Sequence, residues 1–253
     1  MHTAAFAEIG FNAVYLPFAV TPEQLPSLLP SFVLTGVLGF NVTVPYKEKI
    51  IPYLDHVSDE AKALGSVNTV WYEKGLWHGH STDGAGFVRG LVEKGWMIHN
   101  QRILVLGAGG SSKAVTYALL KAGAAKVDIV NRTLSKSELL AQSLGETFSK
   151  DRIGVTNSGR YDLLVNCTSV GLKGPQSPME LGELSKFGKV VDIIYNPPKS
   201  KLLQDAESLG LPIENGLSML LYQGVEAFEL WTGQPAPVQT MAQVLQQQLE
   251  LSK

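Results

Sequence analysis

Residues 102–123, RILVLGAGGSSKAVTYALLKAG, decide the fold. The run Arg-Ile-Leu-Val-Leu is apolar without alternation, as in a parallel strand buried on both faces. Glycines end it, and SSKAVTYALLKAG (111–123) then places apolar residues at helical spacing and stops at Gly123. Strand, glycine turn and helix in that order are the context a dinucleotide-binding fingerprint requires. Gly107 makes the tight turn, and Gly109 lets the backbone approach a pyrophosphate. Ser112 stands where a third glycine is usual and is small enough for close helix–strand packing. The helix N-terminus adds N–H donors and a partial positive charge. The candidate cofactor residues here are Gly107, Ala108, Gly109, Gly110 and Ser111.

Further along, KVDIVNR (126–132) reads as the next strand and LSKSELLAQSLG (134–145) as the next helix. YDLLVNCTS (161–169), KVVDIIYN (189–196) and a short piece around LPIENG (211–216) read as further strands, giving a doubly wound, Rossmann-type sheet. An NAD site commonly places Asp or Glu about 20 residues beyond the glycine loop, on the ribose 2′-hydroxyl. Here the second strand ends Asn131-Arg132-Thr133, with Lys136 four residues past Arg132. A carboxylate would repel a 2′-phosphate, whereas Arg132 can bind one and stack on adenine. NADP(H) is therefore favoured over NAD. The alternative, a solvated basic pair at a helix start, is disfavoured there without an anion to bind. Gly216, closing the last strand, joins the cofactor candidates.

On the N-terminal side, AVYLPFAV (13–20) reads as a strand whose Pro17 suits an edge. Thr21-Pro22 opens a helix, and GFNVTV (39–44) reads as a second strand. YKEKIIPYLD and SDEAKALG read as helices, the second capped by Ser58, which puts Lys47 at a helix start. VNTVWYEKGLWHGHSTD reads as a hairpin turning at Glu73-Lys74-Gly75. Strands alternating with helices make the class α/β. From Ser218 the chain is helical, SMLLYQGVEAFELWTG then PVQTMAQVLQQQLEL, and is expected to return to the first domain. The expected division is 1–83 plus 219–253, and 84–218.

The chain has 253 residues, 45% of them hydrophobic, enough for one large or two small cores. A net charge of −2 gives no electrostatic case for nucleic acid or an anionic membrane. The single cysteine, Cys167, excludes an internal disulfide and reads as a packing residue. No apolar run approaches the roughly 18 residues of a membrane span, and no signal-peptide pattern opens the chain, so a cytoplasmic protein is expected. No Cys/His cluster implies a metal.

Polar residues cluster where strands end: Thr43 and Lys47, Asn68 and Thr69, Thr82 and Asp83. Singly, each has an ordinary explanation as a surface lysine, a turn residue or a helix cap. Together, N-V-T-V-P-Y-K (41–47), G-S-V-N-T (65–69), S-T-D-G-A-G-F (81–87), G-A-G-G-S-S-K-A (107–114), N-R-T (131–133), N-C-T-S-V-G (166–171), D-I-I-Y-N-P (192–197) and Y-Q-G-V-E-A-F-E-L-W-T-G (222–233) resemble the shikimate dehydrogenase family in order and spacing, over nearly the whole chain.

The resemblance implies a two-domain enzyme that interconverts 3-dehydroshikimate and shikimate with NADPH, on the route to aromatic amino acids. It implies Lys47 and Asp83 as the catalytic pair and Thr43, Asn68, Tyr195 and Gln223 as substrate contacts. It also implies Asn131, Arg132 and Thr133 as the clamp on the adenosine phosphate. Tyr195, at a strand end, can face substrate or nicotinamide, or pack at the core edge. A neighbouring carboxylate favours the ammonium form of a lysine, and an ammonium can stabilise a developing alkoxide and protonate it. A wall of Thr, Asn, Tyr and Gln suits a polyhydroxylated carboxylate.

The family pattern is departed from at Ser81, where Asn is usual. It also places a strand and an S-x-S segment ahead of M-H-N-x-A-F. This sequence opens with Met1-His2-Thr3-Ala4-Ala5-Phe6, so a shortened substrate domain is expected. Two alternatives follow: a catalytically impaired NADP-binding form, or an NAD-using quinate/shikimate dehydrogenase, against which Asn131-Arg132-Thr133 argues. Monomer and homodimer both stay open.

Overall fold

The structure, a computed structural model, describes residues 1–251. In chain order its elements begin α1 (His2–Glu8), α2 (Leu25–Thr35), β1 (Gly39–Asn41), β2 (His56–Val57), α3 (Asp59–Leu64), β3 (Thr69–Glu73), β4 (Leu76–His80) and α4 (Asp83–Glu93). There follow β5 (Arg102–Leu106), α5 (Gly110–Lys121), β6 (Lys126–Val130), α6 (Leu134–Leu144), β7 (Ile153–Gly154), β8 (Leu163–Asn166) and β9 (Val190–Asp192). The chain closes with α7 (Lys201–Ser208), β10 (Ile213–Asn215), α8 (Leu217–Thr232) and α9 (Val238–Leu251). Contacts divide it into two units, Met1–Thr82 with Leu221 onward, and Asp83–Leu220.

The first unit holds a four-stranded sheet of order β1-β3-β4-β2. Its hairpin turns through Lys74 and Gly75, both at positive φ (53° and 85°), the backbone a two-residue turn needs to match strand twist. Leu29, Phe32, Val42, Ile50, Val67, Val70 and Trp77 bury one core. Ser58 caps α3 by accepting the Ala61 N–H, as its sequence predicts. A second apolar cluster joins α1 to the C-terminal helices through Phe6, Val225, Phe228 and Met241.

The second unit is a six-stranded parallel sheet of order β10-β9-β8-β5-β6-β7. β5 lies inside it with Ile103, Leu104 and Val105 fully buried, which is why this strand reads as an unbroken apolar run. The doubly wound expectation thus holds.

Three expectations are corrected. AVYLPFAV (13–20) is not a strand, because among the described residues no ladder pairs with it; Val14, Leu16 and Phe18 stay exposed. GFNVTV is a strand only over Gly39–Asn41, opposite Trp71, Val70 and Thr69; one more backbone bond follows, Val42 N–H to the Asn68 carbonyl at 2.8 Å, and the chain turns from Val44. YKEKIIPYLD is a series of turns closed by a 3-10 turn at Ile51–Tyr53, since Pro52 has no N–H to continue a helix. Lys47 therefore stands in a turn, not at a helix start.

His2 is 4% exposed, its ring centroid 4.6 Å from that of Tyr15 and 5.0 Å from that of Trp231. Burial, reinforced by the chain's own ammonium group, lowers its pKa to about 4. A histidine depressed in this way stays neutral when folded but gains a proton when unfolded once the pH drops below about 6.5. Its contribution is complete above that pH and is lost as the pH falls toward 4, by up to about 3 kcal/mol. Urea titrations across pH 7 to 4 should show this one-proton loss, and His2→Phe should flatten that part of the profile.

Candidate active site

The glycine loop forms as its chemistry demands. Gly107 leaves β5 at φ 107°, and a Cβ there would lie 3.1 Å from the Cys167 carbonyl oxygen. Its N–H donates to the Val130 carbonyl at 2.8 Å, tying the loop to the end of β6. Ser112 is fully buried and donates its hydroxyl to the Gly107 carbonyl at 2.6 Å, closing the turn from the helix side. A Cβ built on Gly109 or Gly110 would meet nothing within 4 Å, so open space lies at the N-terminus of α5. That is where a pyrophosphate would accept backbone N–H bonds.

β6 lies beside β5, with Leu106 opposite Val130, so Asn131 emerges next to this loop. The Asn131 amide donates to the Thr133 carbonyl at 3.0 Å, bracing the turn into α6, for which Thr133 is the N-cap. Arg132 and Lys136 are exposed and make no ion pair among the described residues. Two cations near a helix start with no internal anion fit a phosphate ligand.

Gly216 has a stricter reason to be glycine. A Cβ there would sit 1.8 Å from the Ile193 carbonyl oxygen, so the chain after β10 runs against the chain after β9. Tyr195, just beyond that contact, is 37% exposed. Cys167 is half-buried, and burial, with the nearby Asp192 charge, raises its thiol pKa above the usual range.

In the first unit a buried network surrounds Asn68. Its Oδ1 accepts the Thr82 backbone N–H at 2.8 Å and the Thr69 hydroxyl at 3.0 Å, and its Nδ2 donates to Thr82 Oγ1 at 3.0 Å. A backbone N–H only donates, so the amide is locked in one orientation. With Oδ1 and Nδ2 both engaged inside the protein, the Asn68 side chain is held as part of this network. Asn41, which sequence reasoning missed as a site residue, extends the network. Its amide donates to Thr69 Oγ1 and to the Asn68 carbonyl, both at 3.2 Å, and its Oδ1 accepts the Tyr15 hydroxyl at 2.9 Å. The signal was cross-strand register, Asn41 opposite Thr69, which no local pattern carries.

The remaining candidates keep defined places. Thr43 is exposed beyond β1, and Lys47 is half-buried, its carbonyl accepting the Val67 N–H at 2.9 Å next to Asn68. Asp83 opens α4, one residue after the Thr82 that Asn68 holds, and Gln223 is half-buried in α8. Among the described residues no group of three or more His, Cys, Asp and Glu could hold a metal, and no helix is long and apolar enough to cross a membrane.

Residues 1–70 match the family model described as the shikimate dehydrogenase substrate binding domain, and 91–170 match shikimate / quinate 5-dehydrogenase. Residues 216–246 match the shikimate 5′-dehydrogenase C-terminal domain. The chain is 39% identical to the shikimate dehydrogenase (NADP(+)) of Geobacter sp. (strain M21) over 256 residues, covering 97% of this chain and 88% of that protein. With the enzyme of the same name from Thermococcus kodakarensis it shares 42% over 237 residues, covering 92% and 85%. Among solved structures, the shikimate 5-dehydrogenase of Thermus thermophilus in complex with NADP(H) and shikimate superposes with a TM-score of 0.87 at 34% identity, covering 97% and 94%.

At Ser81 the chain carries a fully buried hydroxyl with no hydrogen-bond partner among the described residues. An unmet buried polar group costs about 1–3 kcal/mol. Ser81→Ala should therefore leave stability unchanged or raise it by up to about 1 kcal/mol, read as the urea midpoint at constant m-value.

Proposed function

The chain belongs to the shikimate dehydrogenase family, and from that premise we propose that it reduces 3-dehydroshikimate reversibly to shikimate with NADPH. The observation that carries the cofactor choice is Arg132, exposed and unpaired at the carboxyl end of β6, where a carboxylate would instead have selected NAD. Gly107, Ala108, Gly109, Gly110 and Ser111 would hold the pyrophosphate. Asn131, Arg132, Thr133 and Lys136 would hold the 2′-phosphate, and Gly216 would lie alongside. Residues 1–83 with 219–253 are assigned to substrate and 84–218 to cofactor.

Bound NADPH supplies the hydride to the ketone carbon. What this chain must add is a proton at the ketone oxygen and a fixed pose for the ring. Lys47 is assigned as the proton donor to the ketone oxygen, with Asp83 as its catalytic partner; in the oxidative direction the proton returns to Lys47. Thr43, Asn68, Tyr195 and Gln223 are assigned to the substrate's polar groups. With one cysteine and no need of an oxidising compartment, the chain is placed in the cytoplasm, as a monomer or homodimer.

The test is loss of NADPH absorbance on adding 3-dehydroshikimate. Lys47→Ala should lower kcat on the order of 100-fold or more with little change in KM; a retained kcat removes Lys47 from the proton transfer. Arg132→Ala should raise KM for NADPH by about 10-fold or more, the value of one or two charge-assisted bonds, while leaving KM for NADH unmoved. Equal losses with both cofactors would overturn the 2′-phosphate assignment.

A further inference from the structure

We propose that Asp192 is a positioning residue that clamps the loops leaving β8 and β9 and thereby sets where Tyr195 and Thr168 stand; its kinetic consequence rests on the proposed reaction. Asp192 is the last residue of β9 and is fully buried. Its Oδ1 accepts the Asn166 amide at 3.0 Å and the Ile194 N–H at 3.1 Å, and its Oδ2 accepts the Ser200 hydroxyl at 2.5 Å. Ile194 and Ser200 bracket the loop that carries Tyr195, so one carboxylate pins that loop at both ends. Asn166, the last residue of β8, passes the constraint to the neighbouring loop: its Oδ1 accepts the Thr168 N–H at 3.0 Å and the Thr168 hydroxyl at 2.7 Å.

Three observations argue that the clamp serves more than stability. Asp192 has no ion-pair partner among the described residues, so its carboxylate is buried against neutral donors alone. Burial raises its pKa against the pull of those three hydrogen bonds, so the charged form is held at a cost. Replacing buried ionic groups with apolar ones of like volume is often neutral or stabilising, and a purely structural position had that option. Finally, Asn166, Asp192 and Asn215 stand in register at the ends of three adjacent parallel strands. That is the edge of a doubly wound sheet at which ligands bind.

The test compares Asp192→Ala, Asp192→Asn and Ser200→Ala with the parent chain. Amide hydrogen exchange is read over 167–171 and 193–199, with exchange in β8 and β9 as the internal control. Asp192→Ala should speed exchange in both loops at least 10-fold and leave the strands unchanged, whereas Asp192→Asn, which keeps the oxygen facing Ile194 and Asn166, should stay within 3-fold. Loop exchange unchanged in Asp192→Ala, or a uniform rise through strands and loops, overturns the clamp whatever the substrate is. In kinetics, kcat/KM for 3-dehydroshikimate should fall at least 10-fold in Asp192→Ala and recover in Asp192→Asn, while the Kd for NADPH changes less than 3-fold. Parallel losses in both would mean a structural role only. A parent chain inactive on 3-dehydroshikimate defeats the functional reading instead, and the exchange result still decides the clamp. If Asp192→Ala does not fold, Ser200→Ala carries the same comparison, with faster exchange over 193–199 and in the first turn of α7, which Ser200 caps, and none in β8 and β9.

Discussion

A parallel strand in the middle of a sheet has no face to give to water. β5 meets that condition with Ile103, Leu104 and Val105 fully buried, and its neighbour β8 is buried throughout with Leu163, Leu164 and Val165. Most polar side chains thereby fall at the sheet's ends, the exceptions being Asp128 within β6, buried and accepting the Tyr161 hydroxyl, and Glu214 within β10. There the chain leaves β5 at Gly107, β6 at Asn131, β8 at Asn166, β9 at Asp192 and β10 at Asn215. The three latter side chains do one job in three places: each holds down the loop that its own strand releases. Asn215 does so by accepting the Leu217 N–H at 3.0 Å and donating to the Pro198 carbonyl at 2.8 Å.

Sequence made the local part of this legible. Strand, glycine turn and helix at 102–123 are encoded within a few residues, and so is the hairpin at Lys74-Gly75. Both form as read because glycine supplies the positive φ at Gly107 and Gly75, and pairing of β3 with β4 holds Lys74 there too. What sequence could not carry was pairing. AVYLPFAV has the composition of a strand and no strand beside it among the described residues; β2 and β7, two residues each, are strands only because a neighbour pairs with them. β propensity states that a segment fits a pleated surface, not that one is available.

The candidate residues divide along the same line. Gly107, Arg132, Lys47 and Asp83 could be named because motif and spacing travel with the chain. Asn41 could not, since its role exists only through register with Thr69, 28 residues on. Asp192 sits in plain view in DIIYN, but its partners come from positions 166, 194 and 200. Residues that would touch a ligand are legible in a motif. Those that orient them are legible only after folding, because orientation is a property of the neighbours.

Asn68 and Asp192 share a physical device. Each presents buried acceptor oxygens, fixed by a backbone N–H that cannot reverse, that of Thr82 or Ile194, and completed by side-chain hydroxyls. Saturation matters more than strength here. A net hydrogen bond contributes only about 0.5–1.5 kcal/mol, too little alone to hold a loop against thermal motion. Leaving a buried acceptor unmet costs about 1–3 kcal/mol more. The penalty for any alternative arrangement, rather than the gain from the observed one, keeps each group in a single orientation. A site that must tell one hydroxyl or carbonyl from another needs that kind of exclusion, because an amide free to flip offers donor and acceptor equally.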